Sequence, residues 1–203
     1  MRAKSIALTS IALLSLLFTS GCAFGTRHAK ITYPPDTKAA KSATNAAPVG
    51  AQGRIVVQHF DDDRADKRIV GHVRNGFGMK TAEVVCETEK LDDLVTEALR
   101  SELQKAGYEV LDNTSQNDDG TPVLSGSLTA LYCDAYMSYE GSATLVLKVY
   151  RGGREVFKKA FEGKGSVGVN WGASSASYGR SLSLALVDAI EVMKRDLPTA
   201  FKQ

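Results

Sequence analysis

The order of apolar and polar positions predicts strands and two amphipathic helices after about residue 53. Residues 55–60 are rich in β-branched and aromatic side chains, as a strand requires. From residue 91 to residue 106, apolar side chains recur at intervals of three and four, which predicts a helix. A second helical stripe ends at Pro198, and it consists of Leu182, Leu186, Ala189, Ile190, Met193 and Leu197.

Capping residues set the expected ends of both helices. Thr88 is the predicted N-cap of the first helix, and Gly107 stands where a helix-terminating glycine belongs. Asp92 and Asp93 fall in the first turn, where the helix dipole favours acids. The serines of residues 174–177 can cap the second helix.

The remaining strands predict an antiparallel meander. Strands are expected at residues 108–111, 123–135, 144–151 and 154–161, and the last two are joined by Gly152-Gly153. Residues 65–86 mix apolar and polar positions, and they allow a short strand or hairpin near Ile69 to Val85. Residues 163–173 form an expected glycine-rich loop.

We therefore predict an α+β domain with the element order β-α-β-β-β-β-α. Its sheet is expected to be mainly antiparallel, with about four to five strands, since the predicted hairpins connect successive strands. Each helix has one apolar stripe, so both are expected to pack on one face of the sheet.

The N-terminus has the pattern of a secretory signal. Arg2 and Lys4 precede an apolar run at residues 6–18, and small residues follow. A membrane-spanning helix needs about 20 apolar residues, so this shorter run predicts a cleaved signal peptide at residues 1–21.

The end of that signal, Thr19-Ser20-Gly21-Cys22, resembles the bacterial lipobox. The resemblance implies a diacylglycerol on the thiol of Cys22 and an acyl chain such as palmitate on its amine, which together anchor a protein stably. Plain secretion is the alternative. Ala23, rather than Asp, favours the outer membrane over the inner by analogy with enterobacteria, with the domain facing the periplasm.

Residues 22–52 are expected to be a flexible tether, and residues 53–203 the periplasmic domain. Few large apolar side chains occur before residue 53, so the segment has little surface to bury. A trafficking receptor that reads this segment is the alternative.

Charge makes nucleic acid an unlikely class of partner. The chain has 25 Lys and Arg against 23 Asp and Glu, and removal of Arg2 and Lys4 leaves 25 − 2 = 23 of each sign. A neutral body is a poor match for a phosphate backbone.

The domain resembles the YajG-like outer-membrane lipoproteins and, more loosely, the auxiliary lipoproteins of ABC-type transporters. The resemblance lies in the lipobox and in several segments: Asp63-Arg64, Leu94 to Leu103, Ala106-Gly107-Tyr108-Glu109-Val110, Leu124-Ser125-Gly126-Ser127-Leu128 and the helix at residues 185–197. It implies an anchored α/β domain and brings no catalytic residues.

The two cysteines of the domain, Cys86 and Cys133, are either a disulfide or two free thiols. An oxidising periplasm favours the bridge. The absence of a C-x-x-C motif argues against a thiol oxidoreductase.

No metal or cofactor is predicted. Asp61-Asp62-Asp63 with Asp66 lack the glycine and terminal Glu of an EF-hand, which favours solvated carboxylates paired with Arg64 or Arg68. The histidines, at positions 28, 59 and 72, show no metal-ligand spacing.

The sequence predicts a non-enzymatic envelope lipoprotein that binds or scaffolds an envelope protein, with no small-molecule substrate evident. The alternative is an accessory subunit of an envelope transport or assembly complex, and a hydrolase with a dispersed site is the third hypothesis. Trp171, the only tryptophan, is either an interface anchor or tucked over the sheet edge.

Overall fold

A computed structural model describes residues 25–34, 53–111, 120–168 and 172–201 of the chain. The helices and strands are β1 (Arg27–Ala29), β2 (Gly53–Asp62), β3 (Ile69–Arg74), β4 (Lys80–Cys86), α1 (Leu91–Lys105), β5 (Tyr108–Leu111), β6 (Val123–Ala135), β7 (Tyr139–Arg151), β8 (Arg154–Val167) and α2 (Ser175–Ala200). None of the helices in these ranges has the length and apolar character needed to span a bilayer.

The strands form one mixed sheet of eight. One edge of β6 is shared by β2 and β3, both parallel to it, and β7 pairs along its other edge, followed by β8. The other parallel pairs are β1 with β4 and β2 with β5, and β3 and β4 form an antiparallel hairpin. The α+β class is confirmed, but the predicted sheet was too small and too antiparallel.

The predicted order matches the structure from α1 onward, and the hairpin that the sequence allowed near Ile69 to Val85 is present as β3 and β4. The order was partly wrong because it left out β1, β3 and β4. These strands are short, with three, six and seven residues, and register shifts interrupt the β3–β4 hairpin at two points. Such segments show little of the alternation that marks a strand in a sequence. Parallel pairing was missed because a hydrophobic pattern indicates a strand without indicating its neighbour.

Both helices cover the same face of the sheet. In register, Leu124 of β6 lies between Val57 of β2 and Val149 of β7, and all three are buried. Helix α1 packs on β2 and β5, and α2 packs on β7 and β8. The two helices meet where Lys194 of α2 donates to Glu102 of α1 at 2.7 Å.

The expected glycine-rich loop at residues 163–173 was partly wrong, because β8 continues to Val167. A Cβ at Gly163 would lie 2.2 Å from the carbonyl oxygen of Ala185, and one at Gly165 would lie 2.2 Å from that of Ser181. These glycines are therefore strand residues that let the backbone of α2 approach the sheet closely.

The expected tether at residues 22–52 is corrected for the part that the structure describes. Strand β1 adds to the edge of the sheet beside β4, and Ala29 and Ile31 are buried in the core. Thr88, the predicted cap of α1, instead binds both backbone groups of Ile31, donating to its carbonyl and accepting from its N–H. Two alternating apolar residues, Ala29 and Ile31, make too short a pattern to predict a strand.

The observed helix ends match the predicted ones in part. Gly107 adopts a φ of 91° directly after α1, as predicted, and Ser174 caps α2 by accepting from the N–H of Ser177. Lys90, not Thr88, is the N-cap of α1. Pro198 lies inside the last turn of α2 rather than beyond it, because the helix continues to Ala200.

Candidate functional site

Several loops meet at one end of the sheet, which we call the open end. Because β3 and β6 are parallel, the turns that follow them, residues 75–79 and 136–138, lie side by side. The segment before α2 joins them, since Tyr139 donates to the carbonyl of Gly172 at 2.6 Å. Between these segments is a groove of about 420 Å³.

Four large apolar side chains project from the two turns into solvent, and we call them the apolar tip. Phe77 is 89% exposed, Met137 72%, Tyr136 63% and Met79 59%. No other large hydrophobic residue in the described part of the chain is exposed to this degree. Scattered exposed apolar residues are ordinary, but a contiguous group marks an interaction surface.

Hydrogen bonds among its own residues hold the backbone of the 75–79 turn. The side-chain oxygen of Asn75 accepts from the N–H groups of Phe77 and Met79, both at 3.0 Å. Gly78 N–H donates to the carbonyl of Asn75 at 2.9 Å, and Asn75 N–H donates to that of Met79 at 3.0 Å. The turn is therefore held in one shape with its apolar side chains pointing outward.

Two further side chains bond to this turn, from Arg74 at the end of β3 and from Tyr136 in the 136–138 turn. Arg74 donates to the carbonyl of Gly78 at 2.8 Å, and the hydroxyl of Tyr136 donates to that of Gly76 at 3.4 Å. Arg74 also holds Asp134 through two bonds, at 2.7 and 3.2 Å. The hydrogen bond to Asp134 raises the pKa of Arg74, so this cation stays paired inside the open end.

The tyrosines that line the groove donate to backbone groups. Tyr139 donates to Gly172 and accepts from the N–H of Ser174 at 2.9 Å. Tyr178 donates to the carbonyl of His72 at 3.1 Å, and burial raises its pKa. The Tyr139 hydroxyl therefore fixes the segment before α2, and the Tyr178 hydroxyl ties α2 to β3. Both hydroxyls are engaged with backbone groups rather than presented to the groove as acids or nucleophiles.

The carboxylate of Glu140, which follows the 136–138 turn, is held as a hydrogen-bond acceptor. Glu140 accepts from the hydroxyls of Ser138 at 2.6 Å and Ser166 at 2.9 Å. These two hydrogen bonds lower the pKa of Glu140 below its usual range. A carboxylate with a lowered pKa is a weak general base, so the arrangement suits a structural role.

Two of the predicted site residues, Cys22 and Trp171, lie outside the described residues. The sequence offered Trp171 either as an interface anchor or as a residue tucked over the sheet edge, whereas the exposed group that the structure shows is the apolar tip. A signal for the tip was present: glycines alternate with large apolar residues in 76–79, and Tyr136-Met137 follows a strand.

Cys86 and Cys133 are free thiols in the structure, so the expected disulfide is not formed. Strand β3 lies between β4 and β6, which places the two backbones roughly 9–10 Å apart. A disulfide requires Cα atoms within about 7 Å. Burial raises the pKa of Cys133 to about 12, which makes its thiol unreactive.

The carboxylates at the end of β2 and in the loop after it accept hydrogen bonds from neighbouring residues of the chain. Asp62 accepts two bonds at 2.8 Å from Arg64, which is itself buried, so the predicted pairing with Arg64 is confirmed. Asp66 accepts from the N–H groups of Arg68 and Ile69, and these bonds lower its pKa. The carboxylates of Asp62 and Asp66 therefore shape the loop.

One group within the described ranges has the residue types of a metal site. His59 faces Asp92 at 3.3 Å through Nε2 and Asp93 at 3.7 Å through Nδ1. Sequence spacing could not reveal this group, because a register shift in β2 beside His59 and the start of α1 bring it together. Each ring nitrogen of His59 faces a carboxylate, so the arrangement fits a hydrogen-bonded imidazole. That the protein binds no metal stays a prediction.

Comparison with known proteins identifies the fold. No protein-family model matches the chain, and no curated protein matches it. Protein XCC0632 from Xanthomonas campestris, of family DUF330, is similar with a TM-score of 0.50 and 14% identity over 88% of this chain and 97% of its own.

A hypothetical protein, CT253 from Chlamydia trachomatis, has a TM-score of 0.48 and 10% identity, covering 75% of this chain and 100% of its own. At such identities a likeness concerns the fold alone, and the resemblance to YajG-like lipoproteins stays a prediction. What the comparison with XCC0632 establishes is that this α+β arrangement recurs in a solved structure.

Proposed function

We propose that the protein is a lipid-anchored lipoprotein of the bacterial cell envelope that acts by binding and not by catalysis. Cys22 carries the lipid, the outer membrane holds it, and the domain faces the periplasm. There it binds or scaffolds an envelope protein.

The observation that favours binding over catalysis is the apolar tip beside the groove. Four exposed apolar side chains form the surface, and the polar groups around it donate to or accept from internal partners. A catalytic site instead presents a nucleophile, acid or base toward the space that a substrate fills. A surface of this composition is suited to contact with something apolar.

Metabolic labelling with an alkyne fatty acid tests the anchor. Cells that express the wild type should give a labelled band, and the Cys22→Ala variant should give none, because the thiol is the attachment point for the diacylglycerol. A Cys86→Ala variant is the matched control and should label like the wild type. Equal labelling of the Cys22→Ala variant and the wild type would refute the anchor.

A further inference from the structure

We infer that the apolar tip is seated in the surface of the lipid bilayer, which orients the domain with its open end toward the membrane. This inference rests on the proposed lipidation of Cys22. It adds to that proposal a second membrane contact, made by the folded domain itself.

The length of chain before β1 limits how far the domain can lie from its anchor. Strand β1 begins at Arg27, five residues after Cys22. Five residues span at most about 17 Å even when fully extended. A tether of some thirty residues, as first expected, would allow the domain to move away from the bilayer, whereas this one holds it close.

The direction of β1 places the open end on the membrane side. Strand β1 runs parallel to β4, with Arg27 in register with Val84. Lys80, the first residue of β4, directly follows the 75–79 turn, so the chain enters β1 from the end of the sheet that carries this turn. Arg27 also donates to the carbonyl of Ala173, which lines the groove, at 2.7 Å.

The chemistry of the tip fits a bilayer better than a protein partner. Residues 75–79 and 136–138 contain no charged residue, although 24% of the chain is charged. A charged side chain would oppose entry into an apolar medium, and so would an unbonded backbone group. The internal hydrogen bonds of the 75–79 turn satisfy much of its backbone, and an aromatic ring such as that of Tyr136 suits the headgroup level.

Tryptophan quenching by brominated phospholipid tests the contact in the full lipidated chain. Because the chain has one tryptophan, a Trp171→Phe background allows a single reporter, placed at Phe77→Trp or at Arg154→Trp. Arg154 is the matched control, since it is exposed at the start of β8, beside the β7–β8 turn at the opposite end of the sheet. Both proteins are reconstituted in vesicles of phosphatidylethanolamine and phosphatidylglycerol, with circular dichroism to confirm folding.

We expect quenching of the Phe77→Trp reporter to be at least about three-fold stronger than quenching of the Arg154→Trp reporter, because interfacial side chains reach the headgroup level. Equal quenching at the two positions in chains that float with the vesicles overturns the inference and leaves the lipid anchor standing. Chains that do not float overturn both. A concentration-dependent blue shift of the Phe77→Trp emission without vesicles shows a second copy on the tip, and it also overturns the inference.

Discussion

Replacing Gly163 by valine should lower the free energy of unfolding by about 3 kcal/mol or more. A Cβ at this position would lie 2.2 Å from the carbonyl oxygen of Ala185 and 2.2 Å from the backbone nitrogen of Ala189. Both are backbone atoms of α2, so no side-chain rotation can relieve the overlap, and the helix must move off the sheet. Urea unfolding followed by circular dichroism measures the change.

Gly168→Val is the matched control for this prediction. Gly168 follows β8 by one residue, and a Cβ there would meet no atom within 4 Å. We expect that variant to unfold within about 0.5 kcal/mol of the wild type. If the Gly163→Val and Gly168→Val variants had equal free energies of unfolding, the backbone of α2 would not pack closely against Gly163.

Replacing Glu102 by glutamine should destabilise the domain by about 2–3 kcal/mol at pH 7. The Glu102 side chain lies between the helices, where Lys105 and Lys194 each donate to it at 2.7 Å. Burial alone would raise the pKa of Glu102, but hydrogen bonds from Lys105, Lys194 and Tyr33 outweigh it and lower the pKa to about 2. The variant leaves two ammonium groups without their shared carboxylate.

The same ionisation predicts how the effect depends on pH. The pKa of Glu102 is about 2 in the folded protein and near its ordinary 4.5 in the unfolded chain, so its contribution is complete above about pH 5. It is lost as the pH falls toward 2. The difference in unfolding free energy between the wild type and the Glu102→Gln variant should therefore shrink across this range.

Glu97→Gln on the same helix is the control. The side chain of Glu97 is 68% exposed and pairs with Arg100 at 3.1 Å. An exposed pair of this kind contributes about 0–1 kcal/mol. If the two variants lost the same free energy of unfolding with the same pH dependence, the ion pair between Glu102 of α1 and Lys194 of α2 would not be what stabilises the packing of the two helices.

The parts of the fold that the sequence predicted are those with long, regular patterns. The apolar stripe from Leu91 to Leu103 is buried in α1, and the stripe that starts at Leu182 is buried in α2. The Gly152-Gly153 turn joins β7 and β8 as expected, with both residues at positive φ. Repetition over many residues makes such signals strong.

The parts that were missed depend on contacts between distant segments. Gly163 and Gly165 suggested a loop, because only the packed helix reveals why a strand should contain glycine there. Strand β1 is three residues long and forms only because the edge of β4 is free to pair with it. The apolar tip was missed because two turns 60 residues apart come together, as the bond between Tyr136 and Gly76 shows.

We expect the mature chain to begin at a lipid-bearing Cys22, five residues before the sheet starts at Arg27. Mass spectrometry of the N-terminal peptide from detergent-extracted membranes tests it directly. We predict a peptide that begins at Cys22, carries a diacylglyceryl group on sulfur and an acyl group on its amine, and continues with Ala23. A mature chain that begins at any other residue, or an unmodified Cys22, would contradict it.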